Sequence, residues 1–169
     1  GEDSVRKEAE FILSGYTNLS YAYRMGKNMA AAANANDKAR DVLIGFSREA
    51  KVMDESRYVL GGYMDIARSY LNDHDVDQGE KEANKAIVLY EKFPKARELH
   101  ARQMADVFVR VAGEYISSAR PVPARGAVNK AVSILEKQYH VDGIDEEIRS
   151  VMVRCVEIST LFRKQGRLD

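Results

Sequence analysis

Three copies of one residue pattern constrain this chain more than any other feature of its sequence. Each copy has an aromatic residue, an aliphatic residue three positions later, a small residue directly after that, and a tyrosine three positions further on. The copies occupy residues 16–23, 63–70 and 108–115, so they begin 47 and then 45 residues apart. A pattern that recurs at such a period predicts stacked structural repeats, each of which buries its apolar face against the next.

The spacing within each copy favours a helix that packs closely against a neighbour. Residues three, four and seven positions after an aromatic residue lie on the same face of a helix. A small residue on that face lets a neighbouring backbone approach, while larger side chains fill the space above and below the contact. We therefore expect the aromatic members to be interior residues that hold helices together: Tyr16, Tyr23, Tyr63, Tyr70, Phe108 and Tyr115.

The composition is that of an all-helical globular chain. Of the 169 residues, 45% are hydrophobic and only three are proline. Lysine plus arginine and aspartate plus glutamate number 26 each, so no net field attracts nucleic acid or an anionic membrane. No apolar stretch approaches the roughly 20 residues that a membrane span needs. We expect neither a nucleic-acid partner nor a membrane span in this chain.

Turn and capping signals divide the chain into seven predicted helices within a single domain, residues 1–169. Six helices are predicted at about residues 4–26, 54–71, 78–93, 94–118, 124–139 and 145–164, and one more follows a turn at about 30–36. Asp37 and Asp54 are predicted N-caps, and Pro94 is predicted to begin its helix. The repeats then span about residues 4–53, 54–93 and 94–139, and a capping helix spans about 145–164.

The second helix of each predicted pair carries its own recurring small residues. Nine residues after the motif tyrosines stand Ala32, Gly79 and Ala124, and seven residues later stand Ala39, Ala86 and Ala131. Residues 84–92 and 129–137 are identical at five of nine positions. Small residues on both helices predict that each pair packs closely.

Together these positions resemble the tetratricopeptide repeat (TPR) over about residues 13–139. In the family's numbering the aromatic residue is position 4, the small residue position 8, the tyrosine position 11, and the small residues of the second helix positions 20 and 27. The resemblance implies an all-α fold, a right-handed superhelix of antiparallel helix pairs with three TPR-like repeats and a C-terminal capping helix. The family period is about 34 residues, so each unit here has roughly 11 to 13 more, which we expect to lengthen the helices where repeats join.

The resemblance also implies a binding groove on the concave side, lined by the first helix of each pair. Mapped onto this chain, the groove residues are Thr17, Tyr21, Arg24, Met64, Arg68, Leu71, Asp106 and Val109. Arg24 and Arg68 would suit an acidic residue of an extended or helical peptide. In the alternative interpretation the apolar members of this face simply pack against neighbouring helices: Met64, Leu71, Val109 and Ile116.

A fold of this kind implies binding rather than catalysis. We expect a non-enzymatic scaffold or adaptor that binds a protein or peptide segment in the groove, or that associates with itself. Two alternatives stay open: an accessory domain of a larger regulatory or secretion-associated protein, and a small-ligand-binding helical protein. A first residue of Gly1 is consistent with a removed leader or anchor, and one cysteine fits either the cytoplasm or the periplasm.

No residue pattern predicts a catalytic centre, a metal site or a cofactor. Phosphate-binding glycine loops and G-x-S-x-G motifs are absent from the sequence. Asp73, Asp75 and Asp77 resemble a calcium loop only superficially, because Asn84 stands where a bidentate glutamate is needed. Cys155 is expected to be a buried, inert thiol on the last helix. The apolar stripe predicted there comprises Ile148, Met152, Cys155, Val156 and Ile158.

Overall fold

Seven α-helices make up the regular structure of the described part of the chain. The computed structural model describes residues 2–46, 53–138 and 145–166. Its helices are α1 (Glu2–Met25), α2 (Met29–Gly45), α3 (Ser56–Asn72), α4 (Val76–Lys92), α5 (Pro94–Ser117), α6 (Pro121–Glu136) and α7 (Asp145–Lys164). The predicted all-α class is confirmed. The predicted end of the sixth helix, at residue 139, lies outside the described residues.

The second helix begins earlier than the sequence pattern indicates. Asn28 is its N-cap, and the Asn28 side-chain oxygen accepts a hydrogen bond from the backbone amide of Ala31 at 3.1 Å. The stretch that follows is rich in alanine, the best helix former, and it continues the helix instead of forming a turn. The predicted turn at residues 30–36 and the predicted cap at Asp37 are therefore wrong.

The remaining helix starts agree partly with prediction. Pro94 is the first residue of α5, as expected of a proline in the first helical turn. The same preference starts α6 at Pro121, three residues before its predicted start. Asp54 is not an N-cap, because Glu55 precedes α3 and makes no side-chain capping bond. The Asp54 carboxylate instead lies 2.7 Å from the Lys95 ammonium group of α5.

The turns after α1, α3 and α5 share one backbone conformation. Lys27, His74 and Ala119 occupy the left-handed region there, with φ values of 58°, 60° and 54°. In each turn the next residue's amide donates to the carbonyl of the motif tyrosine, at 2.9, 2.9 and 2.8 Å. This is the hydrogen bond of a Schellman-type helix ending. The chain therefore reverses direction in the same way three times.

A lysine–aromatic contact repeats within the three helix pairs. Twenty-two residues after each position-4 aromatic stands a lysine whose ammonium group lies over the aromatic ring. The distances to the ring centres are 5.6, 5.5 and 5.3 Å for Lys38 over Tyr16, Lys85 over Tyr63 and Lys130 over Phe108. Contacts at this range are cation–π interactions. The helices of the three pairs therefore pack in the same register.

The same lysines connect one pair to the next. The Lys85 ammonium group lies 2.9 Å from the Asp37 carboxylate of α2, and the Lys130 ammonium group lies 2.8 Å from the Asn84 side-chain oxygen of α4. Asp37 and Asn84 each directly precede the lysine of their own pair in the sequence. The equivalent lysine thus links α4 to α2 in one case and α6 to α4 in the other.

One apolar core runs through the stacked helices. Each even-numbered helix contacts the odd-numbered helices before and after it, and successive odd-numbered helices also contact each other. Tyr63, Phe108 and Tyr115 are buried in this core, as are the small residues Ala67 and Ala112. Burying a side chain the size of Phe108 contributes about 1.5–3 kcal/mol to stability.

The first copy of the motif is not interior to the same extent. Leu19 and Tyr23 are exposed, and Tyr16 is half-buried, as is Tyr70 in the second copy. Ile66 corresponds to Leu19 in the second copy and is fully buried. The difference follows from the order of stacking. Helix α3, which carries Ile66, packs against α2 of the preceding pair, whereas no described helix precedes α1. The prediction that all six aromatic residues lie inside is therefore wrong for Tyr23.

The buried face of α7 also differs from the predicted stripe. Val151 and Ile158 are its buried apolar residues, and Cys155 is exposed. Ile148, Met152 and Val156 are exposed as well. Among the described helices α7 packs against α5 and α6, and its apolar residues on the opposite side are exposed. Of the predicted stripe only Ile158 is buried, and the expectation of a buried thiol is wrong.

Candidate binding groove

A cavity of about 380 Å³ lies between the first and third helices. Thr17, Tyr21 and Arg24 line it from α1, and Tyr58 lines it from α3. An adjoining cavity of about 420 Å³ shares the residues Ser14 and Glu55 with it. Burial raises the pKa of Glu55 above its ordinary value, and the nearby Arg57 opposes this shift. The α1–α3 junction thus has a hollow surface of mixed polarity.

Two further cavities continue this hollow surface to the last helix. One of about 540 Å³ shares Asp54 and Arg57 with the preceding cavity and reaches Leu99 of α5. The other, of about 480 Å³, also includes Leu99 and extends to Glu146 of α7. Because neighbouring cavities share lining residues, the four form one depression across α1, α3, α5 and α7. We call this depression the groove.

Six of the eight predicted binding residues line the groove: Thr17, Tyr21, Arg24, Arg68, Asp106 and Val109. Met64 and Leu71 do not, since they are only 1% and 2% exposed and pack within the core. Val109 is buried although it touches the last cavity, and Ile116 packs against the core. For Met64 and Leu71 the geometry favours the alternative interpretation, in which they pack between helices.

The two arginines of the groove contact carboxylates of the chain itself. Arg24 forms an ion pair with Asp65 of α3. Arg68 lies 3.4 Å from Asp65 and 3.8 Å from Asp106 of α5. The four side chains therefore alternate in sign from α1 through α3 to α5. Partly exposed pairs of this kind contribute about 0–1 kcal/mol each, so they orient the side chains more than they stabilise the fold.

Other charges in the groove are paired in the same way. Lys95 lies 2.7 Å from Asp54, and the Arg102 guanidinium lies 2.9 Å from Glu147 of α7. Four of the five basic side chains that line the groove, all except Arg57, are thus paired with carboxylates of the chain itself. Such a surface has few free basic groups with which to attract an acidic ligand.

Large exposed side chains stand between these ion pairs. Leu99 is 61% exposed, and Tyr21 and Tyr58 are also exposed. Arg57 lies 4.6 Å from the Tyr58 ring centre and donates a hydrogen bond to its hydroxyl at 3.0 Å. Arg24 stacks on Tyr21 at 5.5 Å. Stacked guanidinium groups hold both rings in place, where they can contact an apolar ligand group.

Tyr58 and Leu99 were missed by sequence reasoning because they precede the motif. Tyr58 stands five residues before Tyr63, and Leu99 stands nine before Phe108. The long repeat period was the available signal, because the extra residues of each repeat must lengthen a helix or a turn. In α5 the extra residues lie at the start of the helix, and this extension carries Leu99 into the groove.

The described residues show no further chemistry that suggests a reaction. They contain no cluster of three or more metal-ligating side chains. The acidic turn at residues 73–77 is a helix start, in which the Asp75 side chain accepts from the Gln78 amide at 3.2 Å. Among the described helices, none combines the length and apolar character needed to cross a bilayer.

No protein-family model matches the chain, and no curated protein is significantly similar to it. What the groove offers is a continuous depression, paired charges, and exposed apolar or aromatic side chains. Grooves that hold extended or helical chain segments share these features.

Proposed function

We propose that this chain is a TPR-like interaction domain that binds a peptide segment of another protein in the groove. In this proposal the three helix pairs are repeats in a right-handed superhelix and α7 caps the third. Support comes from recurrence: the left-handed turn and the lysine–aromatic contact each occur three times in equivalent places. The odd-numbered helices then form the concave side, where the four cavities lie.

The continuity of the groove across four helices is the observation that carries this proposal. Packed helices lie about 8–10 Å apart, so three intervals span roughly 24–30 Å. An extended chain advances about 3.3 Å per residue, so roughly seven to nine residues fill that length. A groove of this length suits a peptide segment better than a compact metabolite, which would occupy only one of the cavities.

The paired charges favour a particular ligand chemistry. A ligand carboxylate beside Arg24 or Arg68 would compete with Asp65 and Asp106 for the same guanidinium groups. The favoured ligand is therefore a segment of low net charge with an apolar or aromatic anchor. That anchor would lie between Tyr58 and Leu99, and main-chain groups would bond the polar side chains around it. This replaces the expectation of an acidic peptide.

A displayed library of random 12-residue peptides, selected on the intact chain, tests the proposal. We expect enriched peptides to carry an apolar or aromatic residue and to lose at least about tenfold in affinity for Leu99→Glu, because a charge would replace the apolar contact. Val88→Glu is the matched control, since Val88 is 54% exposed on α4, outside the residues that line the groove. Equal binding by wild type and Leu99→Glu would rule out the groove.

A further inference from the structure

Helix α7 has an exposed apolar face opposite the side that packs on the protein. Val151 and Ile158 face α5 and α6, whereas Met152 and Val156 are 63% and 67% exposed. Ile148 and Val153 extend the exposed face. None of these four residues lines the groove. The face is therefore a second surface, separate from the candidate binding site.

The repeat register identifies what kind of element would cover this face. Met152 follows Phe108 by 44 residues, which continues the intervals of 47 and 45. Met152 thus corresponds to position 4 and Val156 to position 8. In the preceding pairs these positions contact the even-numbered helix: Lys85 lies over Tyr63, and the Ser20 hydroxyl donates to the Ala32 carbonyl at 3.0 Å. The uncovered face of α7 is therefore shaped for an antiparallel helix.

The charges at the two ends of α7 indicate which helix that is. Asp145 in its first turn and Arg163 in its last turn are exposed and lie on the side of Met152 and Val156, whereas Glu147 is paired with Arg102. A second α7 in the antiparallel direction would set each acidic end against a basic end. In a parallel arrangement like charges would meet, which is destabilising.

We propose that two copies of this chain associate through antiparallel packing of their α7 helices across a twofold axis. When Met152 lies opposite the second copy's Val156, the antiparallel register also sets Asp145 opposite the second copy's Arg163. On a helix the four residues fall within one stripe, because their spacings of 4, 7 and 7 positions keep them on one face. Each α7 then lies on its partner as an even-numbered helix lies on the odd-numbered helix before it.

Sedimentation equilibrium of the intact chain over a wide concentration range tests this association. The wild type is expected to form a reversible dimer, and Val156→Glu to dissociate it at least about tenfold more readily, since two charges would enter the apolar centre. Val88→Glu adds the same charge on exposed α4 and should dimerise like the wild type. A wild type that remains monomeric throughout, or a Val156→Glu variant that dimerises equally well, would overturn the proposal.

Charge reversal tests the antiparallel register specifically. Asp145→Arg and Arg163→Asp should each weaken the dimer, because each places like charges opposite one another twice. The double variant should dimerise like the wild type, because it restores both pairs with inverted sign. If the double variant is weaker than either single variant, α7 does not pack in this register. Peptide binding in the groove is measured separately, so failure here leaves that proposal unaffected.

Discussion

At the scale of single residues, three positions that look ordinary in the sequence have an unusual backbone conformation. Lys27, His74 and Ala119 have ordinary side chains, yet all three occupy the left-handed region that glycine adopts most easily. No sequence rule marks them, because the residue types differ and the signal is only their equal distance from the motif tyrosines. The helix endings themselves could be predicted, whereas this conformation could not.

Ala119→Gly should raise the free energy of unfolding by about 0.5–1 kcal/mol, because glycine relieves the left-handed strain of a residue whose side chain is exposed. Thermal or denaturant unfolding measures the change. Ala22→Gly provides the comparison: Ala22 is exposed within α1, where glycine should cost about 0.5–1 kcal/mol. Destabilisation by both substitutions would contradict the assigned turn.

His74 gives the turn after α3 a pH dependence. Its ring nitrogen lies 3.0 Å from the Glu114 carboxylate, and this hydrogen bond raises the pKa of His74 above its ordinary value. A raised pKa in the folded state stabilises the protein below the ordinary value of about 6.5, and the contribution disappears as pH rises through the raised value. His74→Asn should therefore lower the melting temperature at about pH 5 and not at about pH 8. An equal effect at both pH values would contradict a charged pair.

At the scale of helices, the sequence predicts element type better than packing detail. The repeat period and helical spacing indicated the all-α class, because such patterns depend on which face of a helix is apolar. The turn predicted at residues 30–36 is wrong. That prediction rests on two asparagines, a residue type that is common in turns. Asn36 is in fact buried, and its side-chain nitrogen donates to the Val59 carbonyl of α3 at 2.9 Å. A tertiary contact, invisible in a local pattern, makes this polar residue an interior one.

Gly79 shows how closely the helices of one pair approach. A β-carbon at Gly79 would lie 2.8 Å from the Leu71 side chain and 3.3 Å from the Ala67 carbonyl oxygen. Gly79→Val should therefore lower the free energy of unfolding by about 1–3 kcal/mol more than Gly126→Val. Gly126 is the matched control, because it lies exposed in α6 with nothing within 4 Å of an added β-carbon. Equal losses, measured by denaturant unfolding, would contradict this packing.

At the scale of the whole molecule, the groove results from the stacking of odd-numbered helices. Part of it could be predicted, since the resemblance mapped Thr17, Tyr21 and Arg68 to the surface that carries the cavities. Met64 and Leu71 could not be assigned correctly, because their burial depends on how α3 is enclosed by its neighbours. The pairing of the groove arginines with Asp65 and Asp106 also depends on distances between helices, which spacing along a chain does not give.

A map of amide chemical-shift changes, recorded while a selected peptide is titrated into the isotope-labelled chain, shows directly where the peptide binds. The proposed function predicts that the largest changes follow the groove, around Tyr21, Tyr58, Leu99 and Asp106. The exposed surfaces of α2, α4 and α6 should change little. Changes concentrated on those even-numbered helices, with the groove unaffected, would contradict the claim that this surface binds the peptide.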